Sequence, residues 1–225
     1  MGLPGLPPEM LDDVLWFSRH LASALQATDS LPSALDTLRG LASPSQRAFL
    51  APLQRGVERG ERLSDLLLER GLPTLVWGMV KSGEAGARLA EALGLLADRL
   101  ETEKAAPPPG DARLYAYSLA LGRLAPMLIL RVPILNALEV AADSVSPSEA
   151  TDALKAVRAA VAGGATSTAE ALARVAPDLP PLTIDMLRDG EEAGRLAAAL
   201  PIVSDYLLDA AAQTAAKRKE AHHAA

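Results

Sequence analysis

Ser82-Gly83-Glu84-Ala85-Gly86-Ala87-Arg88-Leu89-Ala90-Glu91-Ala92-Leu93 returns as Asp189-Gly190-Glu191-Glu192-Ala193-Gly194-Arg195-Leu196-Ala197-Ala198-Ala199-Leu200, displaced by 107 residues (190−83 = 107). The register holds without a gap from Pro73–Leu100 against Pro180–Leu207, and 12 of those 28 positions are identical. Upstream the offset is 103 (137−34 = 103): Ala34-Leu35 returns as Ala137-Leu138, and Ser43-Pro44-Ser45-Gln46 as Ser146-Pro147-Ser148-Glu149. The change of offset places four extra residues (107−103 = 4) near Gly163-Gly164-Ala165-Thr166, where a loop tolerates insertion. The chain is therefore a tandem duplication. Each copy, at about 100 residues, has the usual size of a domain, and two copies are too few for a solenoid.

Each copy reads as six helices. In the first, Leu11, Val14, Phe17, Leu21, Ala24 and Leu25 fall on one helical face between Glu9 and Ala27. Pro32 opens a second helix to about Leu41. Ser43-Pro44-Ser45-Gln46 has the form of a capping box with Pro at the first helical position, and the helix it starts ends at Gly60. A short helix follows Ser64, and after a turn at Gly71-Leu72-Pro73 a fifth runs to about Lys81 and stops at Gly83. The sixth is expected from about Gly86, with Leu89, Leu93, Leu96 and Leu100 on its inner face. These four recur as Leu196, Leu200, Val203 and Leu207. Ser167 and Glu170 form a second candidate capping box. Gly94 and its counterpart Pro201 both weaken a helix interior, so the sixth helix is expected to bend there. Ala105-Ala106-Pro107-Pro108-Pro109-Gly110 cannot continue a helix. The expected organisation is all-α: two tandem six-helix bundle domains related by internal duplication, over residues 1–104 and 112–225, with a proline-rich linker at 105–111.

Composition narrows the function classes. The net charge of −6 argues against a general nucleic-acid binder, which needs a basic face to displace counterions. The absence of cysteine rules out a disulfide, a thiolate nucleophile and a Cys-based zinc site. No secretory signal pattern opens the sequence. The most apolar region, 119–142, is cut by Arg123 and Arg131 into segments far shorter than the roughly 20 residues a span requires.

Phe17-Ser18-Arg19-His20-Leu21, Ala34-Leu35, Gly60-Glu61-Arg62-Leu63-Ser64, and Gly83-Glu84 followed by Leu89 resemble, in that order, the cytoplasmic domain of the type II secretion system F protein. The same domain occurs in the inner-membrane platform proteins of type IV pili. The family pattern carries Gly and Pro between helices one and two, where this chain has Thr28 and Ser30, then Arg131 and Pro133. Its Gly-Glu-x-Ser-Gly-x-Leu motif keeps the later Gly only in the second copy, as Gly194. Family members carry membrane helices after each domain, whereas here a proline segment follows the first copy. The resemblance implies a non-enzymatic scaffold with no cofactor. It would lie in the cytoplasm, at the inner face of the bacterial inner membrane, and touch the membrane only indirectly. Its partners would be proteins: an assembly ATPase, other platform components, or a second copy through self-association. A free-standing soluble adaptor that has left the machine is the alternative.

Gly83, Glu84, Gly190, Glu191 and Gly194 are the candidate structural or partner-docking residues. The plainer reading has each glutamate satisfy amides at the start of the sixth helix; the sharper has it hold a cation or a partner. One carboxylate per copy falls short of a metal site, which needs several converging ligands, so no metal is expected. Gly163-Gly164-Ala165-Thr166-Ser167-Thr168 lacks the Gly-Lys-Ser/Thr of a phosphate-binding loop. His20, the only histidine outside the tail, has no Ser or Cys constellation beside it in sequence. No catalytic residue emerges, and an enzyme or small-molecule binder is carried only as a third reading, resting on the acidic loops.

Overall fold

The computed structural model describes residues 8–28, 30–105, 110–164 and 167–223. Among these the chain is all-α. It divides into two compact units, residues 1–104 and 105–225. The first contains α1 (Pro8–Ala27), α2 (Leu31–Leu41), α3 (Pro44–Glu58), α4 (Leu63–Glu69), α5 (Thr74–Ala85) and α6 (Leu89–Ala105). The second contains α7 (Ala112–Ile129), α8 (Ile134–Asp143), α9 (Glu149–Ala162), α10 (Thr168–Val175), α11 (Pro181–Glu192) and α12 (Leu196–His223). The triple proline lies outside the described residues, as do Ala165 and Thr166 of the second copy's extra loop.

In the first unit the apolar face of α1 is sealed: Leu11, Val14, Phe17 and Leu21 are buried, and Phe17 meets Phe49 of α3 edge-on at 5.4 Å. Each large apolar side chain removed from water in this way contributes about 1.5–3 kcal/mol. Leu93, Leu96 and Leu100 of α6 join the core. On the surface α1 and α6 are tied by Arg19 to Asp98 at 2.7 Å and Glu101 at 2.6 Å, and by Lys104 to Asp12. These pairs are exposed and worth at most about 1 kcal/mol each.

The second unit joins the corresponding helices differently. The Ser118 hydroxyl donates to the Ser204 carbonyl at 2.8 Å, and the Ser204 hydroxyl donates back to the Ser118 carbonyl at 2.9 Å. Both serines are buried, so this reciprocal pair lets α7 and α12 approach closely with their polar groups satisfied. Arg123, at 2% exposure, donates from Nη1 to the Ser144 carbonyl at the end of α8. Asp111 caps α7 by accepting from the Arg113 and Leu114 amides. Arg113 Nε then reaches both oxygens of Glu149 at 2.9 and 2.8 Å, and Tyr117 Oη donates to Glu149 at 3.3 Å. Burial, reinforced by the Glu149 carboxylate, pushes the Tyr117 phenol up to about 12.

Several local expectations hold and several move. The box at Ser43 forms in both directions, with the Ser43 amide donating to Gln46 Oε1 and the Gln46 amide to Ser43 Oγ. Its counterpart shifts: α9 is capped by Ser148, not Ser146, because Glu149 is drawn away to Arg113 and Tyr117. At α10 only the Ser167 half of the expected box is made, through the Glu170 amide. Arg131 has φ +61°, the left-handed conformation that favours the glycine usual at this place in the family pattern. α12 runs without interruption through Pro201.

Candidate functional site

The repeated motif forms a corner in each unit, built on one contact and one remote cap. The contact is glycine against alanine. A Cβ on Gly83 would sit 2.6 Å from the Ala92 Cβ and 3.0 Å from the Leu89 Cα. One on Gly190 would sit 2.6 Å from the Ala199 Cβ, with the Leu196 Cα at 3.5 Å. Contacts this short do not occur, so only glycine lets α5 lie on α6 and α11 on α12 at this separation. Gly83 was expected to stop α5; instead the helix continues two residues beyond it, to Ala85, and α6 starts at Leu89 rather than near Gly86. The glycine serves a crossing, not an ending.

The turn itself is a Schellman closure in both units. The Arg88 amide donates to the Gly83 carbonyl at 2.7 Å, and the Arg195 amide to the Gly190 carbonyl at 2.7 Å. The residue ahead of each arginine is left-handed: Gly194 at φ +64°, but Ala87 at φ +52°. Gly86 stands one position too early to relieve it, since its own φ is −92°.

The cap corrects the expectation for the glutamates. Neither serves the sixth helix. Glu84 Oε1 accepts from the Leu63 amide at 2.8 Å and the Ser64 amide at 3.4 Å, and Oε2 accepts from the Ser64 hydroxyl at 2.6 Å. Glu191 accepts from the Thr168 amide at 2.7 Å and the Ala169 amide at 3.1 Å. Each carboxylate thus caps the first turn of the fourth helix of its unit, α4 or α10, about 20 residues away in sequence. The positive end of that helix favours the charge, and charge-assisted bonds are the stronger kind. α4 depends on this cap, because its N-cap position is Arg62, which makes no side-chain capping bond. α10 has Ser167 in addition.

The five candidates therefore fall into two tight clusters, Gly83 with Glu84, and Gly190 with Glu191 and Gly194. The lone-cation reading loses its geometry at Glu84, whose two oxygens already take three donors. Among the described residues no three acidic or histidine side chains converge as a metal site. His20 Nδ1 lies 2.8 Å from the Trp16 carbonyl, and its ring stacks on Trp16, so it is spent within α1. An apolar void of about 10 Å³ among leucines of the second unit is too small to take a ligand.

Three features of the structure have no local signal in the sequence. Arg88 is held to Glu91 by two bonds of 2.6 Å, while its counterpart Arg195 faces Ala198 and makes no ion pair. On the outer side of α11 and α12 an open groove of about 320 Å³ runs past Gly190, lined by Met186, Asp189, Arg195 and Ile202. Among the described residues three polar side-chain atoms, Ser18 Oγ, Arg113 Nη2 and Thr183 Oγ1, are buried without a hydrogen-bond partner, Arg113 Nη2 lying 3.7 Å from Asp178 Oδ2. Comparing the two copies position by position carries the signal for the first: Glu91 becomes Ala198.

The fold and the paired corners define a class: a tandem all-helical module whose repeated Gly-Glu turn is a structural joint. The family model for type II secretion system (T2SS), protein F, matches residues 17–106 and 120–221, and the chain belongs to that family. It is a family of non-enzymatic secretion-platform proteins. No match was found among curated proteins. Among the described residues no helix is long and apolar enough to cross a membrane.

Proposed function

We propose that the chain is a scaffold of a secretion or pilus assembly platform, and that it holds protein partners on the outer faces of its helices. The observation that carries this reading is the family match over both copies, each containing the same joint. Two helices locked by a glycine contact and a remote carboxylate cap give a rigid surface of the kind a partner helix can dock on. In this reading Gly83, Glu84, Gly190, Glu191 and Gly194 keep the surface in shape, and side chains next to the joints make the contacts. The assembly ATPase is the first partner to test, because such a machine must couple its motor to its platform.

Biolayer interferometry of the purified chain against the assembly ATPase encoded in the same genome should show saturable binding. Absence of binding in both nucleotide states would remove the ATPase as partner. Fractionating cells that express the gene at its native length distinguishes a membrane-held platform component from a free-standing adaptor.

A further inference from the structure

The shortest helix among the described residues is α4, of seven residues. That is well below the roughly 12–15 residues at which a helix begins to persist unaided. Its N-cap position, Arg62, supplies no side-chain bond, and the Leu63 amide, the Ser64 amide and the Ser64 hydroxyl all donate to Glu84. Left-handed glycines bracket it, Gly60 at φ +83° and Gly71 at φ +72°. A Cβ added to either would meet nothing within 4 Å, so both glycines serve the backbone and not the packing. Asp65, Leu68, Glu69 and Arg70 make an exposed outer face, while Leu63, Leu66 and Leu67 are buried and keep the helix seated. The joint beneath is complete without α4: the Gly83–Ala92 contact and the bond from the Arg88 amide to the Gly83 carbonyl join α5 to α6 alone. The counterpart α10 differs at both ends. Ser167 caps it locally, and its C-terminal boundary, Ala176, has φ −135° where α4 is followed by a left-handed glycine.

We propose that residues 60–71 form a hinged strap that opens as one unit on Gly60 and Gly71 while the α5–α6 joint stays intact, with the Glu84 carboxylate as its latch. Proteins open in such contiguous pieces at free energies below that of global unfolding. In the closed state Glu84 takes its three donors, and Leu66 fits against Gly56, where a Cβ would collide with the leucine methyl groups. In the open state the carboxylate and the Gly56 notch face water together. The device belongs to the first unit, because α10 keeps its Ser167 cap whether or not Glu191 is engaged. It stands independently of the ATPase reading.

Amide hydrogen exchange of the full chain, followed residue by residue by NMR in low urea, tests it. The Leu66, Arg70 and Leu72 amides, whose bonds lie within the segment or close its end, should exchange through one shared opening. They should exchange at least about tenfold faster than the Leu96 and Leu100 amides of α6. Their rates should also depend less steeply on urea, because a local opening exposes less surface than global unfolding. Glu84→Gln keeps the side-chain shape and removes the charge, and should speed exchange in α4 by about tenfold, since charge-assisted bonds are about twice as strong as neutral ones. Adding Arg62→Ser to that variant supplies a local N-cap and should slow α4 again. In every variant α6 should remain slower than α4, which also shows the unit to be folded. Exchange in α4 at the rate and urea dependence of α6 would overturn the proposal. So would indifference of α4 to Glu84→Gln, a double variant no slower than the single one, or a merging of the α4 and α6 rates in Glu84→Gln.

Discussion

The two joints use one plan with different tolerances. In the first unit the glutamate takes three donors, the following arginine is pinned by Glu91, and the left-handed turn is forced on Ala87. In the second the glutamate takes two amides, the arginine is free, and the turn has its glycine. The first joint concentrates its stability in one carboxylate; the second spreads it over Ser167, Glu191 and Gly194. Duplication has left the same helix crossing with two distributions of cost.

Both tryptophans, Trp16 and Trp77, lie in the first unit, so their fluorescence reports on it alone while circular dichroism reports on both units. The largest expected effect is at the caps. Glu84→Ala should cost about 2–3 kcal/mol, because it strands amides and a hydroxyl around a buried helix start. It should lower the fluorescence midpoint in urea. Glu191→Ala should cost less, since Ser167 still caps α10, and should appear in the dichroism transition. Equal losses at both sites would break the comparison. Next come the crossings. Gly83→Ala should destabilise by about 1–3 kcal/mol through overpacking. Gly190→Ala should cost less, because the backbone stands 3.5 Å from the new Cβ rather than 3.0 Å; thermal melts of the two variants compare them directly.

Two substitutions should stabilise. Ala87→Gly relieves a left-handed alanine and should gain about 0.5–1 kcal/mol; Gly194→Ala should lose a similar amount. Thr183→Val removes a buried hydroxyl without a partner, at a place where the first unit has the fully buried Val76, and should gain about 1 kcal/mol. A loss there would reveal a hydrogen bond to the Thr183 hydroxyl.

The last effect is a pH slope in the second unit, which holds Tyr117, and it is felt only in strongly alkaline solution. Its phenol is raised from 10.0 to about 12 in the folded state, so between those values the folded chain keeps a proton that the unfolded chain has released. Stability should therefore fall as pH rises from about 10 to 12. Tyr117→Phe should flatten that part of the denaturation profile followed by circular dichroism.

The helices were legible because their signals are local. The one-face spacing of Leu11, Val14, Phe17 and Leu21 placed α1, and the Ser43–Gln46 box and the left-handed Gly60 bracketed α3. The motif was legible as a joint because its two copies align. Its workings were not. Sequence proximity points Glu84 to the nearest helix start, whereas its partners lie on α4 about 20 residues back; the one clue is Arg62, a poor cap, at the head of that helix. Gly83 has the local signature of a stop because glycine weakens a helix interior, and nothing local says that Ala92 will pack against it.

By itself the sequence determined the periods, the duplication and the family, since these depend on residue types at fixed spacing along one chain. Only the tertiary structure decided which carboxylate caps which helix, why the motif glycines lack room for a Cβ, and that the groove on α11 and α12 carries exposed apolar and charged side chains. Those properties arise where helices cross, and the geometry of a crossing is set by packing between residues that sequence spacing alone does not bring together.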